Sequence, residues 1–429
     1  MGKVVPLEGP DGKPRGTRAR RRSRRRGDKT ALVLGGGGFT GGVYEIGALR
    51  ALDLLAVNST VNDFDVYVGT SAGSFVGSMV ANGVTPEEMM RVLNKALPSP
   101  IHRPTLRTLL RPNYSGWASR LGRLPFRAAG TLRHVIGNLG EVSMMDVATG
   151  LAEGVPTGLY HNKGIERYMR EVLSDPDRSN DFRAVRRELY LVATDLDTSE
   201  RIVFGKGDWA DVPISSAVAA SGALPIVYEP VGLKGRQLID GGIASTTNVD
   251  IAVEAGAKFI VVVNPLVPYV NDFQKRIPTI FGSRVRRVSD MGVTAIANQT
   301  FRLMAHARLQ LAVESWQHRF PDVDIILIEP ELDDELMFGT SILDYSARLA
   351  IAKHGFESVT RRLADDYERY REIAGRHGLE ISARRVRKVL DTVEEEVEGV
   401  SAWRRVLEQT TGALLRQSGQ ESEAAESGR

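Results

Sequence analysis

The feature that most limits the fold is a four-residue apolar run, Ala31-Leu32-Val33-Leu34, ending in four glycines, Gly35 to Gly38. A short run of this kind suits a strand buried on both faces, as in a parallel sheet. From Val43 to Ala56 the residues Ile46, Leu49 and Leu52 recur at helical spacing, so the glycines mark a strand-to-helix turn. The same rhythm continues along the chain. Phe64 to Val68 reads as a second strand and Ala72 to Ala81 as a helix of small residues. Further strands are expected at Leu189 to Ala193, Ile202 to Phe204, Gln237 to Ile239, Phe259 to Val263 and Ile325 to Ile328. Thr85-Pro86-Glu87-Glu88 supplies an N-cap, a proline at the first helical position and a capping-box glutamate ahead of another helix. Strands alternating with helices predict an α/β fold with a mostly parallel central sheet covered on both faces.

The composition agrees with a packed chain. Of 429 residues, 42% are hydrophobic and 25% charged, enough to build a sizeable core. No apolar run approaches the roughly 20 residues of a spanning helix, and the start lacks the apolar region of a secretory signal. The expectation is therefore a cytoplasmic chain that can associate peripherally with a membrane. The absence of cysteine excludes disulfides, thiolate chemistry and cysteine-zinc sites.

Charge is unevenly spread. Arg18, Arg20, Arg21, Arg22, Arg24, Arg25 and Arg26 lie in an arm over residues 1–29 that repels itself and is expected to stay unfolded. Such an arm binds anionic headgroups or nucleic acid, or is a solvated tail without a partner; a nucleic-acid role is the less favoured of these. Residues 417–429 are expected to form a second unfolded tail, after a helical extension over 377–416. The main domain is expected over 30–376, with inserted segments at 100–160 and 271–320. From Ile101 to Gly140 no residue is acidic. Arg103, Arg107, Arg111, Arg120, Arg123, Arg127 and Arg133 alternate there with Leu106, Leu109, Leu110, Trp117 and Phe126, a mixture that fits an interfacial surface. The competing reading is a core-packed cap. The second insertion runs into a long helix through Trp316 and is a candidate site cover or dimer contact.

Two motifs can carry chemistry at the sheet edge. Gly69-Thr70-Ser71-Ala72-Gly73 lies where a strand gives way to a helix. G-x-S-x-G there forms a tight turn that raises the serine hydroxyl above the sheet, and Gly69 and Gly73 let neighbouring backbone pass. Ser71 also sits at a helix N-terminus, which favours developing negative charge. The glycine loop at the first junction exposes backbone N–H groups to an anion. Gly36, Gly38 and Gly41 also satisfy G-x-G-x-x-G, but dinucleotide binding wants an acidic residue at the end of the second strand, which here ends in Gly69-Thr70-Ser71.

A serine nucleophile needs a base. None of His102, His134, His161, His306, His318, His354 and His377 stands in the usual chain order of a G-x-S-x-G triad. Asp240 instead follows the strand Gln237-Leu238-Ile239 and opens a Gly241-Gly242 turn, which places a carboxylate at the sheet's carboxyl edge. Such a carboxylate can act on a serine hydroxyl directly. Taken alone, Asp-Gly-Gly favours a simple turn satisfied by its aspartate.

Together the glycine loop, G-x-S-x-G and D-G-G, in this order between about Thr30 and Pro265, resemble the patatin-like phospholipases. Ala219-Ala220-Ser221-Gly222-Ala223-Leu224-Pro225 with Pro230, and Ala193 to Thr198, add to the similarity. The resemblance implies a three-layer α/β/α fold and a lipid acyl-hydrolase with a Ser71-Asp240 dyad. The backbone of Gly36, Gly37 and Gly38 would form the oxyanion hole. It implies an acyl-enzyme and neither metal nor organic cofactor. Phospholipase A or lysophospholipase-like action is the leading expectation. A thioesterase, a neutral-lipid esterase or a weakly active membrane-binding scaffold are the alternatives. The oligomeric state is left open. The chain departs from the family at Thr40, where Arg or Lys is common; the backbone donors survive that change and the cation's contribution does not.

Overall fold

The computed structural model describes residues 28–94, 101–105, 109–114, 116, 118, 157–271, 277–279, 282–284, 287–340 and 344–391. The strands are β1 (Lys29–Leu34), β2 (Val66–Thr70), β3 (Arg111–Pro112), β4 (Gly158–His161), β5 (Glu188–Asp195), β6 (Arg201–Phe204), β7 (Ile226–Tyr228), β8 (Val231–Leu233), β9 (Arg236–Asp240), β10 (Ala257–Val263), β11 (Ile277–Thr279), β12 (Gly282–Arg284) and β13 (Asp324–Ile328). The helices are α1 (Gly38–Leu55), α2 (Ala72–Ala81), α3 (Pro86–Leu93), α4 (Lys163–Val172), α5 (Ile214–Ser221), α6 (Val249–Glu254), α7 (Val293–Arg319), α8 (Glu335–Gly339), α9 (Arg348–Asp365) and α10 (Tyr367–Arg376).

The central sheet runs β13-β10-β1-β2-β5-β9-β8, with β6 also paired to β5. From β13 to β5 every pairing is parallel; β6 and β9 lie antiparallel to β5, and β8 antiparallel to β9. Period-two alternation divides the side chains between two cores. Leu32, Leu34, Tyr67, Leu189 and Leu191 join the cluster built with α1 to α5 and α9. Ala31, Val33, Val66, Val68 and Val192 join the smaller cluster with Val249 and Ile251 of α6 and Leu309 and Trp316 of α7. Both faces of the parallel strands are thus covered, which explains their continuous apolar runs. Leu32 and Leu34 are wholly buried, and truncating either to alanine would cost on the order of 2–5 kcal/mol.

Helix starts follow from local chemistry. Thr85 caps α3 by accepting from the N–H of Glu88 at 3.2 Å, while Glu88 accepts from the N–H of Thr85 at 2.8 Å, a closed capping box. The first helix begins at Gly38, earlier than the apolar periodicity indicates, because the glycines themselves form its first turn. The second strand begins at Val66 rather than Phe64. Residues Val61–Asp63 form a 3-10 turn before it, and the Asp65 carboxylate accepts from the N–H of Thr30 at 3.0 Å.

A three-stranded sheet, β3-β4-β7, lies apart from the main one. Its Ile226 has φ 73°, is 78% exposed and pairs with Gly158. A β-branched residue in the left-handed region costs about 1–3 kcal/mol. Ile226→Gly should therefore raise the stability of the protein by roughly 1 kcal/mol, net of glycine's own entropy. A urea melt with an unchanged m-value checks this, and a lower midpoint would contradict it.

The Arg-rich arm up to residue 27, the tail over 417–429 and most of the basic-apolar stretch, including Arg107, Trp117, Arg120, Arg123, Arg127 and Arg133, lie outside the described residues. Among the described residues, no helix is long and apolar enough to cross a membrane. At the far end of the chain, Ile381 makes a bridge to Ala56, and residues 383–391 are helical.

Candidate active site

The turn after β2 positions Ser71 at φ 56°, ψ −120°, just before α2. Such a conformation is costly for a residue with a Cβ, and the surroundings enforce it. A Cβ at Gly69 would come within 2.5 Å of the Gly73 oxygen, and one at Gly73 within 2.3 Å of the Leu34 oxygen. Only glycine lets the strand, the turn and the start of the helix close up this tightly. The Ser71 N–H donates to Ser221 Oγ at 2.9 Å, and Ser221 Oγ donates to the Val192 oxygen at 2.6 Å, so α5 and β5 brace the turn. Ser74 Oγ donates to the Ser71 oxygen at 2.6 Å. Behind it, Asn248 Nδ2 donates to Thr70 Oγ1 at 2.9 Å.

The Ser71 hydroxyl donates to Asp240 Oδ2 at 2.5 Å. The other carboxylate oxygen, Oδ1, accepts from the N–H of Gly242 at 2.7 Å, so the D-G-G turn aims the side chain. Asp240 itself is the last residue of β9 and is buried. That strand runs antiparallel to β5, so Asp240 does not reach the edge as a parallel strand end would. It arrives at the right level because it pairs with Ala193, next to the Val192 that pairs with Thr70. Burial pushes the Asp240 carboxyl up to about 6, against the opposing bonds from Ser71 and Gly242.

The glycine loop lies against the same point. A Cβ at Gly36 would be 3.4 Å from Ser71 Cβ, and Gly73 N–H donates to the Gly35 oxygen at 3.0 Å. Among the described residues, the N–H groups of Gly36 and Gly37 find no protein acceptor, and Gly38 opens α1 with its N–H directed out of the first turn. Thr40 is buried and its hydroxyl donates to the Gly37 oxygen at 3.4 Å. It contributes no charge where the resemblance leads one to expect a cation.

Ser71, Asp240, Gly242 and Gly36 to Gly38 line a cavity of about 200 Å³, partly open to solvent. The rest of its wall is almost wholly apolar. Phe39, Val43, Ile46, Phe75, Met79 and Leu224 are among the lining residues. Both inserted segments contribute: Ile101, Pro104, Leu109 and Leu110 from the first, Asn298 and Phe301 from the second. Among the described residues no histidine lines it. His161 pairs instead with Glu229, His354 with Asp334, and His377 with Asp324, while His134 lies outside the described residues.

Sequence reasoning missed two supporting groups, Ser221 and Asn248, and one buried carboxyl, Glu45. Ser221 lies in the small-residue stretch noted above, yet nothing in that stretch singles it out. Asn248 is wholly buried and bonded to Thr70, a contact across 178 residues. Glu45 is also wholly buried, and neither carboxylate oxygen has a hydrogen-bond partner. Burial holds its carboxyl well above the usual range, opposed by the nearby N–H of Gly35, which itself donates to the Val263 oxygen at 2.9 Å. Asp195 is structural. Arg236 Nη1 donates to it at 2.8 Å and holds its carboxyl below the usual range, and it accepts from the N–H of Asp197 at 3.0 Å across the β5–β6 turn.

An α/β sheet with a strained G-x-S-x-G serine bonded directly to the aspartate of a D-G-G turn defines a class, and comparison with known sequences agrees. A sequence model of the patatin-like phospholipase family matches residues 32–253, half of the chain, and the chain belongs to that family. A curated relative, the probable lipid hydrolase 463L of Invertebrate iridescent virus 6, is 23% identical over 223 residues, 52% of this chain and 63% of the relative. The chain thus spans less than two thirds of that relative's length. Among solved structures, VipD from Legionella pneumophila is 15% identical over 80% of this chain and 67% of its own, with a TM-score of 0.34. ExoU in the ExoU-SpcU complex of Pseudomonas aeruginosa is 19% identical over 47% of this chain and 37% of the matched chain, with a TM-score of 0.21.

Proposed function

We propose that this protein is a serine acyl-hydrolase that cleaves carboxylic esters of lipids, with Ser71 as nucleophile and Asp240 as general base. The observation that carries the reading is the 2.5 Å bond between their side chains at the wall of an apolar cavity. As Ser71 Oγ attacks the acyl carbonyl, its proton passes to Asp240 Oδ2. The carbonyl oxygen takes the negative charge and is received by the N–H groups of Gly36, Gly37 and Gly38, with the positive end of α1 behind them. Protonated Asp240 returns the proton to the departing alcohol oxygen, leaving an acyl-enzyme. Water then attacks the acyl carbon, gives its proton to Asp240, and releases the fatty acid as Ser71 recovers its hydrogen. Apolar walls support an acyl chain as the bound group, since they withdraw methylenes from water at roughly 0.8 kcal/mol each. The experiment is labelling with a fluorophosphonate, followed by hydrolysis of a panel of phospholipids, lysophospholipids, neutral lipids and thioesters. Absence of both labelling and turnover would reject the reading.

The elevated carboxyl sets the pH response. Asp240 works as a base only when ionised, and its carboxyl lies at about 6. Turnover of a neutral soluble ester, expressed as kcat/KM, should reach a plateau above about pH 7 and fall about tenfold per unit below 6. A flat profile between pH 5 and 8 would assign the proton transfer to another group.

A further inference from the structure

The outer face of α7 has no function in the chemistry described so far, yet it is apolar along most of its length. Val293, Ile296, Leu303, Met304 and Leu311 are all exposed on it, Leu311 at 68%. The helix cannot turn this face inward. On its opposite side Arg302 is buried, donating through Nη1 to the Val267 oxygen at 2.9 Å and through Nη2 to the Met337 oxygen at 3.0 Å, and Leu309 and Trp316 pack on the sheet. Asn298 and Phe301 of the same helix line the cavity that holds Ser71. Leu224 and Tyr228 line the cavity as well, and between them in sequence lies Ile226, strained and exposed. The fold gains no burial from holding an isoleucine in the left-handed region in water, whereas an apolar phase in front of it would supply one.

Charge narrows the choice of partner. Asp290 and Glu314 are exposed at the two ends of the apolar face and no acidic residue lies between them, while Arg287, Arg319 and Arg308, which also donates to the Ile243 oxygen, are exposed at the ends and flank of that face. An apolar stripe bordered by arginines, adjoining a cavity suited to an acyl chain, matches a bilayer with anionic headgroups. We propose that Ile226 and the outer face of α7 dock the protein on an anionic lipid surface, so that the cavity opens onto the bilayer. This rests on the lipid-hydrolase reading and adds the surface through which substrate enters.

The full-length protein would be sedimented with phosphatidylcholine vesicles containing phosphatidylglycerol, at low salt and at about 0.5 M salt. The higher concentration limits charge effects, those of the arginine arm included, to a few ångströms. The wild type is expected to keep binding at high salt. Leu303→Glu combined with Leu311→Glu should weaken partition by about tenfold or more, because two charges would enter the apolar layer. Hydrolysis of a soluble short-chain ester should be unchanged, since neither residue lines the cavity. Ile226→Gly should weaken partition while raising resistance to urea, a combination that damage to the fold does not produce. Unaltered vesicle binding in the double variant would overturn the proposal. So would a lipid-free dimer that the same two substitutions turn into monomers, which would assign the face to a second copy of the chain. Failure of the wild type to hydrolyse the soluble ester would count against the hydrolase reading alone, because partition is measured without turnover.

Discussion

Replacing Ser71 by alanine is expected to abolish ester hydrolysis, with a loss of roughly 10³-fold or more, and to remove labelling by a fluorophosphonate. The substitution deletes one oxygen from a turn whose shape is held by other groups. The N–H of residue 71 still donates to Ser221, and Gly69 and Gly73 still permit the close packing around it. Asp240 loses the donor to Oδ2 but keeps the N–H of Gly242 on Oδ1, so the change in stability should stay within about 1–2 kcal/mol. Labelling of a different serine in this variant would displace Ser71 as nucleophile.

Asp240→Asn should lower turnover by at least about 100-fold, since the amide cannot accept the hydroxyl proton. It should also make the protein more stable at neutral pH. The folded-state carboxyl is raised by burial, from 3.8 to about 6. A raised value means that the stability associated with the protonated form is complete below pH 4 and is lost as pH rises through 6. Above that, the native state carries a buried charge at a cost on the order of 2–3 kcal/mol. The neutral isostere avoids that cost. Urea melts at pH 5 and pH 8 should therefore differ by less for the variant than for the wild type. Each single His→Ala variant should retain most activity, because no described histidine lines the cavity. A histidine variant as inactive as Asp240→Asn would replace the dyad with a triad.

These two variants belong to the part of the protein that was most legible in its sequence. The expected strands at 31–34, 189–193, 237–239, 259–263 and 325–328 all lie within observed strands. Those at 31–34 and 259–263 stand out most, because a strand buried on both faces of a parallel pairing is a continuous apolar run, whereas 237–239 belongs to an antiparallel strand with Gln237 exposed. Short strands were not legible. Residues Ile226–Tyr228 and Val231–Leu233 offer three positions each, too few for alternation to register; the first belongs to the small sheet β3-β4-β7, which was not anticipated, and the second forms an edge of the central sheet. Ile226 gives no local hint of its backbone either; it takes a positive φ where β7 pairs with Gly158 of β4.

What the sequence determined by itself was the local geometry: which runs are strands, where a helix is capped at Thr85, and that Gly69 and Gly73 permit a sharp turn around Ser71. Each of these shows as a local pattern, an apolar run, a capping box or glycines at fixed spacing, even though the contact that demands glycine at 73 is with Leu34. The distance between Ser71 and Asp240 was decided only by tertiary structure. The two are 169 residues apart and meet because β5 lies between their strands, pairing Val192 with Thr70 in parallel and Ala193 with Asp240 in antiparallel register. The same holds for the elevated Asp240 carboxyl, which depends on how completely the assembled fold excludes water, and for the support from Ser221 and Asn248. It holds as well for α7, whose sequence is apolar on more than one side. Only the burial of Arg302, Leu309 and Trp316 against the sheet fixes which of those sides is left facing out.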